Sequence, residues 1–250
     1  MRHTTRVAPK IPASILHAGA FADTHILFDW HKIEGIKGST ITGIQTIIRG
    51  TDGADQVLAT TVGMDLFFAT SQLPTPDDVF AYDNSKGPNV NIDAAPGSLG
   101  NPRAAVNGTH FYNNLVGYVP IVGSTAMSDG DLVVLNMASN SGLSIPIGRS
   151  DLYIAAISKG AYDFRTTTQV NETAFTSGTQ ETITVDTGAA RIRFAPGDII
   201  HAADDAVLGT IKQVTNDTEI VLTKPNIDDI ANNDVLYNVT PISFVISSED

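Results

Sequence analysis

The chain has 250 residues, of which 42% are apolar and only 17% charged, and its 27 acids outnumber 15 bases for a formal net charge of −12. That length suffices for one large β-domain, or for a medium domain carrying a smaller one, with a buried core in either case. The acidic balance argues against a nucleic-acid partner, which needs concentrated Lys and Arg, and the absence of cysteine excludes disulfides, thiolate metal sites and Cys nucleophiles.

Residues 1–22 have no sustained periodicity and include Pro9 and Pro12. With Arg2, Arg6 and Lys10 and no acid before Asp23, they predict a short basic arm, extended and ordered only by contact with a partner. No apolar signal-peptide core follows this start, so export by that route is not expected. The first strong strand is Thr24–Trp30, where Ile26, Phe28 and Trp30 alternate with His25, Leu27 and Asp29. Trp30, the only tryptophan, is expected to anchor the core. A turn at Gly35–Gly38 leads to the β-branched run Ile41–Arg49, and the two strands are expected to form a hairpin pair.

Met64–Thr70 predicts a further buried strand, and Gln72–Gly108 is a long passage rich in Pro, Asn, Gly and Asp. A connection of that length inside a compact domain is uncommon, so contact with a neighbouring subunit or partner is expected of it. Strands resume near Thr109–Tyr112, Gly117–Val122, Leu132–Met137 and Leu152–Ile157. These apolar runs are of strand length, far short of the ~20 residues a membrane helix needs.

The last third breaks into short strand-like pieces, Ala189–Phe194, Ile199–His201, Val207–Val214, Glu219–Thr223 and Val235–Val239, punctuated by Pro-Gly-Asp and Asp-Asp turns. Residues 171–238 hold eleven acids against four bases, a net of −7. After them Ile242, Phe244 and Ile246 alternate with Ser243, Val245 and Ser247 in one more strand. The pattern predicts an all-β chain: an arm over 1–22, a β-sandwich of jelly-roll type over 23–170 and 240–250, and a small acidic β-barrel-like module inserted at 171–239. The final strand would then return to complete the large sheet.

No reactive constellation stands out. His25, Asp29 and His31 share a strand face, but same-face neighbours are about 6.6 Å apart, which puts His25 and Asp29 roughly 13 Å from one another. One zinc ion with ligands at ~2 Å cannot be served that way. Asp77-Asp78, Asp204-Asp205 and Asp228-Asp229 are poor acid/base pairs, because adjacent residues of an extended chain point to opposite faces and turn-like context suits them to bending the backbone. A G-x-S-x-G elbow and a phosphate loop are both missing. We therefore expect no enzyme activity, no cofactor and no metal. Partner binding is expected through Arg2, Arg6 and Lys10, whose charge complements the acidic module of another copy.

Two groups of segments carry a family resemblance. Ile26–Gly38, reading Ile-Leu-Phe-Asp-Trp-His-Lys-Ile-Glu-Gly-Ile-Lys-Gly, and Ile47–Gly53 resemble the opening of structural proteins in tailed phages of marine bacteria and cyanobacteria. Gly197–Ile200, Gly209–Ile211, Thr218–Thr223 and Asp234–Ile242 resemble the later part of the same proteins. The long middle passage is unmatched. The resemblance implies a virion component, a capsid decoration or cement protein on the capsid exterior. Its partners would be the major capsid protein and further copies of itself, a trimer favoured, with neither nucleic acid nor membrane involved. The alternative is a tail, baseplate or fibre-associated protein that recognises a host-surface glycan, with Tyr112, Asn113, Asn114 and Tyr118 as candidate contacts.

Overall fold

A computed structural model describes residues 1–18, 21–23, 25–38, 40–49, 63–70, 115–121, 132–137, 145–146, 152–160, 162, 164, 169–171, 174, 176–186 and 190–250. The expected long passage Gln72–Gly108, the strand expected near Thr109–Tyr112, and Asn113 and Asn114 lie outside the described residues. In chain order the elements begin with β1 (Arg2–Val7), α1 (Ala13–Ala18), β2 (Ile26–Lys32), β3 (Thr40–Arg49) and β4 (Met64–Thr70). Next come β5 (Leu115–Ile121), β6 (Leu132–Met137), β7 (Ile145–Pro146), β8 (Leu152–Ser158) and β9 (Thr182–Thr184). The chain closes with α2 (Ala190–Arg193), β10 (Ile199–His201), β11 (Val207–Asn216), β12 (Glu219–Leu222), β13 (Tyr237–Asn238) and β14 (Ile242–Glu249).

The fold is all-β, with antiparallel pairing throughout the described strands. One sheet has the order β1-β14-β3-β6, with β7 pairing β3; a second runs β2-β8-β4-β5. Their buried residues form one core, the body, to which Val7, Ile44 and Ile246 come from the first sheet and Leu27, Leu66 and Ile154 from the second. Phe28 and Phe244 meet across it with ring centroids 5.6 Å apart. Strand period explains the first sheet: Ile242, Phe244 and Ile246 are buried and stand opposite Ile48, Thr46 and Ile44 of β3, while Val245 and Ser247 are half-exposed.

The first 22 residues correct the expectation of an arm. Residues 2–7 pair with β14 from Arg2↔Glu249 to Val7↔Phe244, and Val7, Ile11, Ala13, Ile15, Leu16 and Phe21 are all buried in the body core. Within α1, Ala13 and Leu16 lie three apart and Ile15 stands beside Leu16, so the short helix turns its apolar residues into the core. The carbonyl of Pro12 accepts from Leu16 N–H at 3.1 Å, so the proline caps the first turn, where its missing N–H costs nothing.

A second correction concerns β2 and β3, which belong to different sheets and form no hairpin. The turn between them crosses from one layer to the other. Gly38, at φ 91°, passes so close to β14 that an added Cβ would sit 3.0 Å from the Glu249 carbonyl oxygen. Simple alternation also fails in β2, where Ile26, Leu27 and Phe28 are all buried. Its pairing with β8 shifts register between Ile26 and Phe28 and again between Phe28 and His31, which resets the faces. Trp30 is half-buried and stands outside the fully buried core it was expected to anchor.

The last third has its own sheet, β13-β10-β11-β12-β9, and its own core running from Val170 to Leu236. Bridges Val170↔Val185 and Gln169↔Val235 connect the segment just before it to both ends of that sheet. Ala189–Phe194, expected as a strand, instead contains the helical turn α2, in which Phe194 N–H donates to Ala190 O at 3.0 Å. Ala190 and Phe194 are the buried pair, four residues apart, and a helical turn puts both into the core. We call this unit the module.

Candidate functional site

The three basic residues do not converge. Arg2 lies on β1 with its side chain 90% exposed and Nε 3.7 Å from Glu249 Oε2 of the neighbouring strand. An exposed pair of that length contributes little to stability, but it answers the Arg2 charge within the chain. Arg6 is exposed and stands opposite Val245, on the same face as Arg2 and about 13 Å along the strand. Lys10 lies beyond β1: burial, and after it the Lys10 charge, lower the pKa of His31, while at His201 burial does so and the Lys10 charge is a smaller influence than the opposing Asp205.

His25 is buried, and its Nδ1 accepts from the Ala22 N–H at 2.9 Å. Burial holds its pKa down, against the opposing charge of Asp23. The ring is neutral and engaged in a local turn. Asp29 has no described side chain, and among the described residues no group of three or more His, Asp or Glu could hold a metal ion.

The acidic pairs of the module shape backbone. Asp204 Oδ1 accepts from Ala206 N–H at 3.1 Å, Asp228 Oδ1 from Asp229 N–H at 2.8 Å, and Asp229 Oδ1 from Ser177 N–H at 2.7 Å. Asp205, at φ 71°, reaches outside the module to accept from Ser14 N–H of α1 at 3.0 Å. Asp77 and Asp78 lie outside the described residues.

Two polar clusters went unpredicted. Asp65, 7% exposed on β4, accepts from Tyr118 OH at 2.8 Å and pairs with Lys159 Nζ at 3.0 Å. The Tyr118 ring lies 5.3 Å from that of Phe67 and is 43% exposed. Burial, then the hydrogen bond and charge of Asp65, push the Tyr118 phenol up to about 12. Tyr118 is thus a donor and an aromatic surface at neutral pH, and a poor base. A lone carboxylate in the apolar run Met64-Asp-Leu-Phe-Phe was the available signal, because a buried charge requires a partner.

The other cluster centres on Asn226, 1% exposed. Its Oδ1 accepts from Thr179 N–H at 3.1 Å and Gln180 N–H at 2.9 Å, while Nδ2 donates to Thr176 O at 3.0 Å and Asp228 O at 2.7 Å. One side chain therefore uses its full amide capacity to join two loops. Nearby in the same unit, Asp198 Oδ2 accepts from Ala195 N–H at 2.8 Å and Asn238 Nδ2 at 2.9 Å. Nothing in Lys-Pro-Asn-Ile-Asp-Asp distinguishes Asn226 from an ordinary turn residue.

Chemically, these groups bind backbone and one another. Among the described residues no helix is long and apolar enough to cross a membrane. No protein-family model matches this chain, and no curated protein does so.

Proposed function

We propose that this protein is a structural part of a phage virion, a capsid decoration or cement protein that strengthens the head shell from outside without performing catalysis. The observation that carries this reading is an acidic module with its own core joined to a larger β-body. The best-buried polar groups are used to hold that architecture. We read the two-sheet body as a β-sandwich of jelly-roll type and the module as the barrel-like unit that projects from it. The resemblance of Ile26–Gly38 and Asp234–Ile242 to phage structural proteins supports the same assignment.

In this role many weak contacts, repeated by symmetry, hold the shell lattice. The partners would be the major capsid protein and other copies of this chain in a symmetric oligomer, with a trimer our first expectation. Attachment cannot depend on a loose basic tail, since residues 2–7 are a strand of the body. Exposed Arg6 and Lys10 and the acidic surface of the module are the contacts to test. Purified protein added to undecorated capsids should bind and raise their resistance to heat; absence of binding would overturn the reading.

The second reading, a glycan-recognising tail component, draws on the exposed Tyr118 ring beside Phe67. An aromatic face of this kind suits stacking against a sugar. Binding of the isolated protein to host cells, lost in Tyr118→Ala, would favour it over the first.

A further inference from the structure

Titratable side chains gather at the seam where the module meets the body. In β10, Ile200 belongs to the module core while Ile199 packs against the body core. The pairing with β11 shifts register between Ile200 and His201, and it is the pairing with Tyr237, a member of the body core, that places His201 at the seam. His201 stands opposite Tyr237 of β13, whose hydroxyl lies 2.7 Å from His17 Nδ1 on α1. Two backbone donors cross the same seam: Ile11 N–H to Val239 O at 2.7 Å, and Ser14 N–H to Asp205 Oδ1 at 3.0 Å.

His201 is held in one protonation pattern. Its Nδ1 lies 2.9 Å from the carbonyl oxygen of Asp205; a carbonyl only accepts, so Nδ1 carries the hydrogen. In the neutral ring Nε2 is then bare, and it is buried with no hydrogen-bond partner. Around it stand Lys10 from the segment before α1, Asp205 from the turn after β10, and Tyr237 with His17 behind it. Asp204 is turned to the Ala206 N–H, and Lys10 also faces His31 of β2, which has Glu34 near it.

We propose that this seam is an acid-operated latch: a proton on His201 Nε2 places a second N–H donor in a buried position without an acceptor, beside Lys10, and releases the module from the body, drawing Tyr237 and Val239 off the body core while the rest of each core stays folded. Burial lowers the pKa of His201 in the docked form, against the opposing hydrogen bond and charge of Asp205, with the Lys10 charge a smaller lowering influence. Once released, the His201 ring titrates near the ordinary 6.5. The released form therefore binds more protons, so docking is fully favoured above that value and is lost as pH falls below it.

Hydrogen exchange on the intact protein, compared as protection factors at about pH 7.5 and about pH 5, tests the latch amide by amide. The Ile11 and Ser14 amides should lose protection by a factor approaching tenfold per pH unit below about 6.5. The Leu222 amide inside the module and the Lys159 amide inside the body should keep theirs. His201→Asn retains a donor for the Asp205 carbonyl and does not titrate, so its seam should stay protected in acid. His201→Phe, whose ring carries no titrating nitrogen, should likewise stay protected in acid and decides the matter if His201→Asn fails to fold. Unchanged seam protection in the native chain at low pH would overturn the proposal. So would equal loss in the variants, or loss at Leu222 and Lys159 together with the seam.

Discussion

The body and the module keep their shape by different means. The body buries large side chains from two sheets and α1 in a single core, with Phe28, Phe68, Phe244 and Tyr162 among its fully buried members. The module has a smaller core, in which Phe194 is the one aromatic among the described residues, and its loops are tied by side chains that bond to backbone. Small units bury too little apolar surface to hold long loops by packing alone. Buried amides and carboxylates make up the difference, provided each one is satisfied. Loss of apolar surface should therefore damage the body most, and loss of a single polar atom should damage the module most.

Removing residues 1–12 makes the harshest test of the first half of that contrast. The deletion strips β1 from β14 and takes Val7 and Ile11 out of the core. Each buried aliphatic side chain is worth about 1.5–3 kcal/mol before any strand pairing is counted. The expected outcome is loss of the cooperative thermal transition of the body, followed by near-UV circular dichroism. A loosely attached arm would leave that transition in place, and such a result would break the contrast.

Asn226→Ala should produce the next largest effect, this time in the module. The substitution leaves the Thr179 and Gln180 N–H groups and the Thr176 and Asp228 carbonyls without their side-chain partner. With about 1–3 kcal/mol for a buried group left unsatisfied, and water able to reach part of the opened loop, a loss of about 2–4 kcal/mol is expected. Exchange protection should fall at Gly178 and Leu222 of the module, whereas the Lys159 amide of the body should be untouched. An equal fall in both units would mean that the two cores unfold as one.

Much of this arrangement was legible from alternation and punctuation. Strands β4 and β6 coincide with the expected runs Met64–Thr70 and Leu132–Met137, because a short apolar run of strand length bounded by turn residues marks a strand in the letters. Where order comes from distant backbone pairing, local pattern is silent. Arg2-His-Thr-Thr-Arg-Val has one buried apolar residue, and its place in the sheet is set by β14 at the other end of the chain. In Ala190-Arg-Ile-Arg, alternation imitates a strand, while the buried Ala190 and Phe194 obey a helical spacing. The polar ties were harder still. An Asn after a Pro signals a turn, and only the approach of residues 176–180 makes Asn226 a staple.

Tyr118→Phe gives the smallest expected effect and the sharpest comparison with Asn226, since each substitution removes polar contacts from a single side chain. Tyr118 is 43% exposed and Asn226 1%, so water can replace what the phenol loses. Asp65 also keeps Lys159 at 3.0 Å after the change. The cost at neutral pH should be about 0.5–1 kcal/mol, the lower part of the usual range for one hydrogen bond. Its dependence on pH has a definite sign. The folded phenol is pushed up to about 12 from an ordinary 10, so the unfolded chain gives up this proton first. The contribution of Tyr118 is complete below about pH 10 and fades as pH rises toward 12. Tyrosinate absorbance of the native chain should therefore show a step between about pH 10 and 12 that the variant lacks, and the variant should lose less stability over that interval; Tyr162, pushed higher still by burial, ionises beyond it. If the late step persists in Tyr118→Phe, the Asp65 pairing does not hold the phenol, and exposure alone no longer explains why the module depends on its polar ties more than the body does.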